Sequence, residues 1–187
     1  MELHGERLIP APIDETWAAL NDPETLKACI AGCESLERTG VDAYTAVVAL
    51  KVGPVSARFR GNLQMTNVSP PHGYTMAFDG QGGVAGFGKG SADVKLTAEG
   101  VAATKLAYEA RATVGGKMAQ IGSRLVDATA GKITDDFFKA FEANLQARHA
   151  PAGEVAAPPV GPPTPAGTIG WVLAAIVIAA TLWMVMH

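Results

Sequence analysis

A glycine-rich segment, residues 80–91, has residue types and a spacing that suggest phosphate binding. Gly83, four further residues and then Gly88-Lys89 match the beginning of a phosphate-binding loop. The match ends at Gly90, because such a loop needs a hydroxyl side chain there for a metal ion, and a strand pattern follows where a helix should begin. We therefore predict a mobile or bulged connection between strands and no nucleotide site.

The histidines and cysteines have no spacing that is typical of catalysis or of metal binding. None of the histidines is spaced with another histidine or a carboxylate as a metal site or an acid–base pair would require. Cys29 and Cys33 are separated by three residues, whereas a redox motif has two and a structural zinc site needs four ligands. We predict no catalytic residue, no metal site, and buried, unreactive thiols. The histidines are His4, His72, His149 and His187.

The charge of the chain argues against nucleic acid as a partner. The formal net charge is −3 and the pI is about 5.8, and no cluster of lysines and arginines alternates with aromatic residues. The first six residues are acidic and lack an apolar run, so the sequence shows no secretory signal. We therefore predict that the folded part of the chain lies in the cytoplasm.

Residues 114–125 contain the strongest local pattern. Gly115 and Gly116 permit a sharp turn, while Gly122 and Gly131 remove side-chain bulk from a segment whose pattern is helical. Because glycine destabilises a helix, we expect something to approach these positions closely. Either the helix packs tightly against a sheet, or small residues leave a cavity there for an apolar ligand.

The elements that position these residues are mainly β-strands. In residues 55–65 small or apolar side chains occupy the odd positions and polar side chains the even ones. The same alternation recurs in residues 92–99 and 105–114. Short connections separate most of the strands, which is typical of an antiparallel meander, here of about seven strands. The other predicted strands are residues 3–9, 36–39, 43–51 and 74–78.

A long amphipathic helix is predicted over residues 117–148. Its apolar residues recur every three or four positions and therefore share one face, and Asp135 and Asp136 are assigned to its solvated edge. At about 1.5 Å per residue it would be ~45 Å long and could cross the sheet. Shorter helices are predicted over residues 14–20 and 23–29. The apolar face contains Met118, Ile121, Leu125, Thr129, Ile133, Phe137, Phe141 and Leu145.

The end of the chain differs from the rest in composition. Residues 151–168 contain six prolines and a single charge, which is typical of an extended linker. Residues 169–186 are uncharged and would form a helix about 27 Å long, close to the ~30 Å apolar thickness of a bilayer. Trp171 and Trp183 lie near its two ends, as expected at the headgroup boundary. The predicted parts are a folded domain over residues 1–150, a linker over residues 151–168 and a transmembrane tail anchor over residues 169–187.

The apolar faces of the sheet and of the long helix define a candidate cavity. Side chains at the predicted inward positions are nearly all apolar, so they either hold an apolar ligand or form the plain core of the domain. An enzyme that used the same cavity would need a polar acid–base pair facing inward. The predicted lining residues are Phe59, Leu63, Met76, Phe78, Leu96, Leu106, Tyr108, Met118, Ile121 and Leu125.

Three segments of the sequence resemble the CoxG family of carbon monoxide dehydrogenase subunits. They are residues 17–24, 29–36 and 114–125, and they occur in family order across roughly residues 3–148. Ala31 departs from the family, which usually has proline there, and we expect this to alter the stiffness of a loop more than its role. The residues that match the family motif in the third segment are Gly115, Gly116, Lys117, Gln120, Gly122 and Arg124.

The resemblance implies an α+β helix-grip fold of the START-like (SRPBCC) superfamily, in which a curved antiparallel sheet wraps around a long C-terminal helix. It implies a non-catalytic accessory role beside a molybdenum hydroxylase such as aerobic carbon monoxide dehydrogenase. Family members with a membrane tail resemble recruiters that bring this cytoplasmic enzyme to the bacterial inner membrane. A quinone in the cavity, with no covalent cofactor, would link the enzyme to the respiratory electron pool.

From the sequence and the resemblance together, we expect a single-pass C-terminal anchor in the inner membrane and a folded domain in the cytoplasm. The expected partners are the hydroxylase complex, the inner membrane and an apolar small molecule. Two other functions stay open, namely a cyclase-like or hydrolase-like enzyme that uses the cavity, and a docking adaptor that binds no ligand.

Overall fold

Seven antiparallel strands form a single sheet in residues 1–149, which are the residues that the computed structural model describes. The strands are β1 (Glu2–Ile9), β2 (Cys33–Arg38), β3 (Ala43–Val52), β4 (Val55–Ser69), β5 (Gly73–Gln81), β6 (Phe87–Ala98) and β7 (Thr104–Gly115). Strands β2 to β7 follow one another across the sheet, and β1 pairs with β7. The predicted meander of about seven strands fits this arrangement.

The alternation of side chains decides which face of the sheet is covered. In β4 each odd residue from Val55 to Met65 is buried or half-buried, and each even residue between them is exposed. Pairing with β5 places Leu63 opposite Phe78 and Met65 opposite Met76. Because directly opposed residues lie on the same face, the apolar side chains of neighbouring strands share one inward surface.

Four α-helices lie in the described part of the chain, and the last of them is held at its end by the second. Asp22 caps α2, because its carboxylate accepts a hydrogen bond from the Thr25 backbone N–H at 3.2 Å. Arg148, near the end of α4, donates to the Thr25 hydroxyl and lies 3.8 Å from the Asp22 carboxylate. The helices are α1 (Ile13–Leu20), α2 (Pro23–Cys29), α3 (Lys117–Gln120) and α4 (Ser123–His149).

The helix predicted over residues 117–148 is interrupted. α3 ends at Gln120 and α4 begins at Ser123, and between them Gly122 has a φ of +92°. Glycine adopts this conformation freely, whereas other residues do so rarely. The prediction of one continuous helix is therefore wrong at this point, because an apolar period does not reveal where a glycine leaves the helical conformation.

The core lies between the second half of α4 and one end of the sheet. Phe141 and Leu145 of α4 and Ile9 of β1 are each 0% exposed. They form one apolar cluster with Leu20 of α1 and Cys29 of α2. α4 is therefore anchored firmly at this end, and α1 and α2 close the core beside it.

No helix in residues 1–149 is both long and apolar enough to cross a membrane. α4 has 27 residues, but charged side chains recur along it from Arg124 to Arg148. The fold prediction that included a transmembrane helix is corrected accordingly, and so is the predicted location with a single-pass anchor in the bacterial inner membrane and a cytoplasmic domain. The predicted linker and the predicted span, with Trp171 and Trp183, lie outside the described residues.

Candidate ligand-binding site

The inward face of the sheet is filled at one end and incompletely covered at the other. At the filled end Leu96 and Leu106 are only 3% and 1% exposed. Toward the other end the rings of Phe59 and Phe78 are half-buried. Small residues occupy the neighbouring inward positions, and on the facing side a Cβ on Gly131 of α4 would meet no heavy atom within 4 Å outside its own helix. These small residues are Ala57, Gly61, Gly80, Gly88, Gly90, Ala110 and Ala112.

The structure places the predicted lining residues in three environments. The buried ones are Leu96, Leu106 and Met118. The half-buried ones are Phe59, Leu63, Met76, Phe78, Tyr108 and Ile121. Leu125 is 41% exposed, because it packs beyond the end of the inward face, with its Cδ2 2.7 Å from where a Cβ on Gly53 would lie. Leu125 is thus separated from the others and covers the turn between β3 and β4.

Glycines determine where the two half-buried phenylalanine rings lie. A Cβ on Gly82 would be 2.5 Å from Cε1 of Phe59, and a Cβ on Gly90 would be 2.8 Å from Cζ of Phe78. Each ring therefore occupies volume that any other residue would need for its side chain. At the open end of the inward face, the Phe59 and Phe78 rings thus pack directly on the backbone of Gly82 and Gly90.

The helix glycines are not sites of close approach. Neither Gly122 nor Gly131 has a heavy atom within 4 Å of where its Cβ would lie, apart from its chain neighbours and its own helix. The expectation of tight packing against these positions is therefore wrong. Gly131 is half-buried and faces open space, which favours the alternative that the helix leaves room beside it.

Arg7 is the one charged residue at an inward position of strands β1 and β3 to β7 in the described chain. Its guanidinium forms an ion pair with Asp135 of α4 and lies 5.5 Å from the centroid of the Phe138 ring. The two charged side chains are 35% and 55% exposed, so the pair lies at the border of the solvent. It ties the edge strand β1 to the middle of α4.

Tyr108 presents an unused hydrogen-bond donor next to this ion pair. Its ring stacks on Phe138, with centroids 5.5 Å apart and an angle of 29° between the planes. Its hydroxyl lies over Gly5, where a Cβ would be only 2.7 Å from Oη. Within residues 1–149 Oη has no hydrogen-bond partner. The hydroxyl is therefore available to a polar atom of a ligand.

Reactive side chains are scarce in the described structure. Burial, and to a smaller extent the neighbouring Tyr44, raises the pKa of Tyr74 to about 12. Burial also raises the pKa of the Cys29 and Cys33 thiols, so neither is a thiolate at neutral pH. Cys29 is buried as predicted, whereas Cys33 is half-buried. Among residues 1–149 no three histidine, cysteine, aspartate or glutamate side chains converge as metal ligands would.

Two surface hollows, of about 540 and 460 Å³, lie away from the helix. Lys89 and Arg111 line the first, Asp93 and Lys95 line the second, and no residue of α3 or α4 lines either. Phe78, Gly90 and Ala112 also line the first hollow, and Tyr74, Val94 and Leu96 also line the second. The polar side chains that border both hollows make them poorly suited to an apolar ligand. A bulky ligand between α4 and the sheet is therefore expected to widen the space that the small residues leave there.

The family-motif residues lie at the open end of the domain. Gly115 and Gly116 turn the chain from β7 into α3, and a Cβ on Gly115 would be 2.3 Å from Cε1 of Phe87. These glycines have a structural role, because the turn and the ring beside it leave no room for a side chain. The polar motif residues Lys117, Gln120 and Arg124 are exposed.

Positive charge is concentrated at the same end. Lys51, Lys117 and Arg124 are exposed and have no ion-pair partner in the described chain, and we call these three residues the cationic rim. No aspartate or glutamate occurs in residues 43–65, 80–92 or 110–126, which supply the strands and turns of this end. Because the whole chain carries a net charge of −3, the rim is a local reversal of sign.

The contacts among Arg7, Asp135, Phe138 and Tyr108 are not predicted from the sequence. Of these four residues only Tyr108 is among the predicted lining residues. The helical pattern assigns Asp135 to the solvated edge of the helix, whereas it pairs with a residue 128 positions away in the chain. One signal was present, because Arg7 interrupts the small or apolar inward positions of β1. The partner of that arginine is set by the packing of α4 and leaves no pattern in the sequence.

Comparison with known proteins gives one family and one fold. The model of the CoxG family of carbon monoxide dehydrogenase subunits matches residues 5–146. No curated protein sequence matches the chain. A conserved protein of known structure from Geobacillus kaustophilus is 32% identical, with 79% of this chain and 96% of that chain covered and a TM-score of 0.74.

More distant structures share the fold alone. A START superfamily protein from Mycobacterium smegmatis is 12% identical, covers 79% of this chain and 98% of its own, and has a TM-score of 0.62. An aromatase/cyclase from Streptomyces sp. R1128 is also 12% identical, with 82% and 98% covered and a TM-score of 0.63. The long helix on a seven-stranded sheet is thus an arrangement that proteins of different function use.

Proposed function

This chain belongs to the CoxG family of carbon monoxide dehydrogenase subunits, and on that premise we propose that it binds an apolar ligand between α4 and the sheet, as a non-catalytic accessory protein of a molybdenum hydroxylase. The observation that carries the proposal is the half-burial of the Phe59 and Phe78 rings among small residues. Apolar surface that the core leaves uncovered contributes about 25 cal/mol per Å² when a ligand buries it.

A respiratory quinone is the ligand that we propose for this site. Its ring is flat and apolar and carries carbonyl oxygens, so it needs an apolar slot with a hydrogen-bond donor at one border. The Phe78 ring and the small residues around it supply the slot, and the Tyr108 hydroxyl supplies a donor. A bound quinone would accept two electrons and two protons and so carry electrons away from the hydroxylase. The domain's own residues would bind and orient the ring and keep water from it.

An enzymatic role for the cavity has less support. It would need an acid–base pair that faces inward. The polar groups at the border of the open end are the Tyr108 hydroxyl and the Arg7 guanidinium, which Asp135 holds in an ion pair. The likeness to an aromatase/cyclase concerns the fold and brings no residue of that activity to this chain.

The cationic rim is the surface that we propose for docking on the hydroxylase. Exposed apolar residues lie at the same end, among them Val84, which is 85% exposed in the turn that contacts α3, and Leu125, which packs at Gly53. An apolar centre with a charged border is typical of protein interfaces, and the unpaired cations favour an acidic surface on the partner. Docking at this end would bring the partner close to the open end of the cavity.

Thermal unfolding tests the ligand proposal. We expect menadione, a soluble quinone, to raise the Tm of the purified full chain by about 5 °C at a concentration far above its Kd. The variant Gly131→Leu fills the open space beside α4, and we expect it to remove most of this shift. If menadione leaves the Tm of the unaltered chain unchanged, the ligand proposal is wrong.

Co-purification tests the docking proposal. The tagged full chain is expected to retain the carbon monoxide dehydrogenase of the same organism, and the triple variant Lys51→Glu/Lys117→Glu/Arg124→Glu is expected to lose it. A matched control reverses three exposed lysines outside the rim, Lys27, Lys95 and Lys139. Equal loss in both triple variants would contradict a role for the rim, because it would show a general effect of net charge.

A further inference from the structure

We propose that the ligand carries an uncharged oxygen acceptor at one end and that the Tyr108 hydroxyl donates a hydrogen bond to it, with Arg7 as a positioning residue. This inference rests on the proposed function and deepens it by assigning the residue that holds the donor in place and the charge state of the ligand that the site accepts. It follows from the free hydroxyl that Tyr108 presents beside α4 and from the elements that hold this hydroxyl in place.

Most other polar side chains along the interface are already engaged. The Tyr74 hydroxyl and the Trp17 indole have no hydrogen-bond partner in residues 1–149 either, but their rings pack against each other in the filled core. Thr129 and Thr134 of α4 donate to carbonyls of their own helix, at 2.8 and 3.0 Å. Thr104 of β7 donates to the Ala11 carbonyl at 2.8 Å, and the Tyr44 hydroxyl donates to the Asn21 carbonyl at 3.4 Å. Tyr108 differs from these engaged residues because its hydroxyl has no partner in the described chain.

The free hydroxyl lies beside the open space at Gly131. Arg7 of β1 contacts Asp135, and Ile9 belongs to the same core as Phe141, so β1 and α4 advance in the same direction. Gly131 precedes Asp135 by about one turn, or ~6 Å. In β1, Gly5 precedes Arg7 by two residues, which cover about the same distance along a strand. Gly131 therefore lies alongside Gly5. The Tyr108 hydroxyl lies over Gly5 and therefore faces the position where α4 leaves room.

The ion pair fixes the orientation of the donor. Arg7 pairs with Asp135 and lies over the Phe138 ring, and Tyr108 stacks on that same ring. Loss of the Arg7 cation would remove one of the contacts that fix the Phe138 ring, which also packs on Phe137, and would so loosen the support of the ring that carries the hydroxyl. Arg7 itself need not touch the ligand.

The charge of the cluster selects for a neutral ligand. Asp135 neutralises Arg7, so this border of the cavity offers a hydrogen bond but no net positive charge. The body of the ligand would lie on the small inward residues Ala110 and Ala112, beside the Phe78 ring that covers Gly90, where only apolar contacts are available. The expected chemical class is therefore an apolar, ring-containing molecule with a carbonyl at one end.

A pair of matched probes tests the contact. Menadione and 2-methylnaphthalene have the same carbon skeleton, but only menadione carries carbonyl oxygens. We expect Tyr108→Phe in the full chain to weaken menadione binding about fivefold to tenfold, as loss of one hydrogen bond does, and to leave 2-methylnaphthalene binding unchanged. Tyr44→Phe, which removes a hydroxyl outside the open end, is the matched control and should change neither affinity. Isothermal titration calorimetry gives each Kd.

Arg7 needs a test that separates positioning from stability. We expect Arg7→Met to weaken menadione binding more than 2-methylnaphthalene binding, and Arg7→Lys, which keeps the cation beside Asp135, to restore most of the difference. Equal weakening of both probes by Arg7→Met would overturn the positioning role, since that is the effect of a loosened structure.

The outcomes distinguish this inference from the proposed function. If neither probe binds the unaltered chain, the proposed function is wrong and the inference falls with it. If both probes bind and Tyr108→Phe leaves their affinities unchanged or lowers both equally, the hydrogen bond is overturned while the apolar site stands.

Discussion

Gly116 and Gly86 meet backbone to backbone at the open end of the domain. A Cβ on Gly116 would lie 2.5 Å from the Cα of Gly86 and 3.2 Å from its nitrogen. Gly116 also has a φ of +73°, which side chains rarely tolerate. This contact joins the turn before α3 to the loop between β5 and β6, so the family-motif glycine holds the mouth of the cavity in shape.

Gly116→Ala is expected to destabilise the fold by about 2–4 kcal/mol, because it adds a backbone clash to the strain of a positive φ. Gly100→Ala is the matched control, since Gly100 has nearly the same φ of +74° but nothing within 4 Å of its Cβ position. Strain alone should cost about 1 kcal/mol there. Denaturant unfolding measures the free energy of unfolding of both variants. An equal decrease in the two would show that the close contact with Gly86 does not contribute to the effect.

Gly131→Ala is expected to stabilise the chain by about 0.5–1 kcal/mol. Alanine favours a helix over glycine, and a methyl group at this position meets open space. Denaturant unfolding without ligand measures the change. A loss of stability would contradict the open space beside α4 on which the ligand site depends.

Asp22 should give the domain a pH-dependent contribution to stability. The hydrogen bond from the Thr25 hydroxyl, followed by its backbone N–H and by Arg148, holds the pKa of Asp22 below its ordinary value. The folded state therefore gains stability above about pH 4, where the unfolded carboxyl is ionised, and loses it as the pH falls through the lower, folded-state pKa.

Asp22→Asn keeps a helix cap but removes the charge, so we expect it to cost less than about 1 kcal/mol at pH 7. The difference from the unaltered chain should shrink as the pH falls below about 4. Urea unfolding at a series of pH values measures it. A difference that stays constant down to about pH 2 would show that the ionised carboxylate contributes nothing.

The two thiols should react slowly and at different rates. Burial raises the pKa of both, so little thiolate exists at neutral pH, and Cys29 is 3% exposed while Cys33 is half-buried. Alkylation with iodoacetamide, followed by mass spectrometry, should modify Cys33 before Cys29. In denaturant both should react at one rate, and faster reaction of Cys29 in the native chain would contradict the structure.

The regular parts of this fold follow from local patterns. The alternation in residues 55–65 predicts which face of β4 is buried, because a strand turns successive side chains to opposite sides. The apolar period of residues 117–148 likewise predicts that Phe141 and Leu145 face the sheet, and both are fully buried. Short connections then leave an antiparallel meander as the simplest topology.

The parts that sequence did not predict depend on contacts between distant residues. The break at Gly122 depends on the positive φ of one residue. Glycine adopts the helical and the left-handed conformation about equally well, so the sequence does not show which one it takes. The pairing of Arg7 with Asp135, and the free hydroxyl of Tyr108 beside Gly131, arise only when α4 is laid on the sheet. The exposed position of Leu125, predicted to line the cavity, has the same origin.

The central claim is that the space between α4 and the sheet holds an apolar ligand with a carbonyl. Organic extraction of the purified full chain, followed by mass spectrometry, tests it most directly, with Gly131→Leu purified in parallel as the control. The account predicts that the unaltered chain releases about one equivalent of such a compound, a respiratory quinone in our proposal, and that the variant releases far less. An extract of the unaltered chain that contains no more of any apolar compound than the extract of the variant would contradict the account.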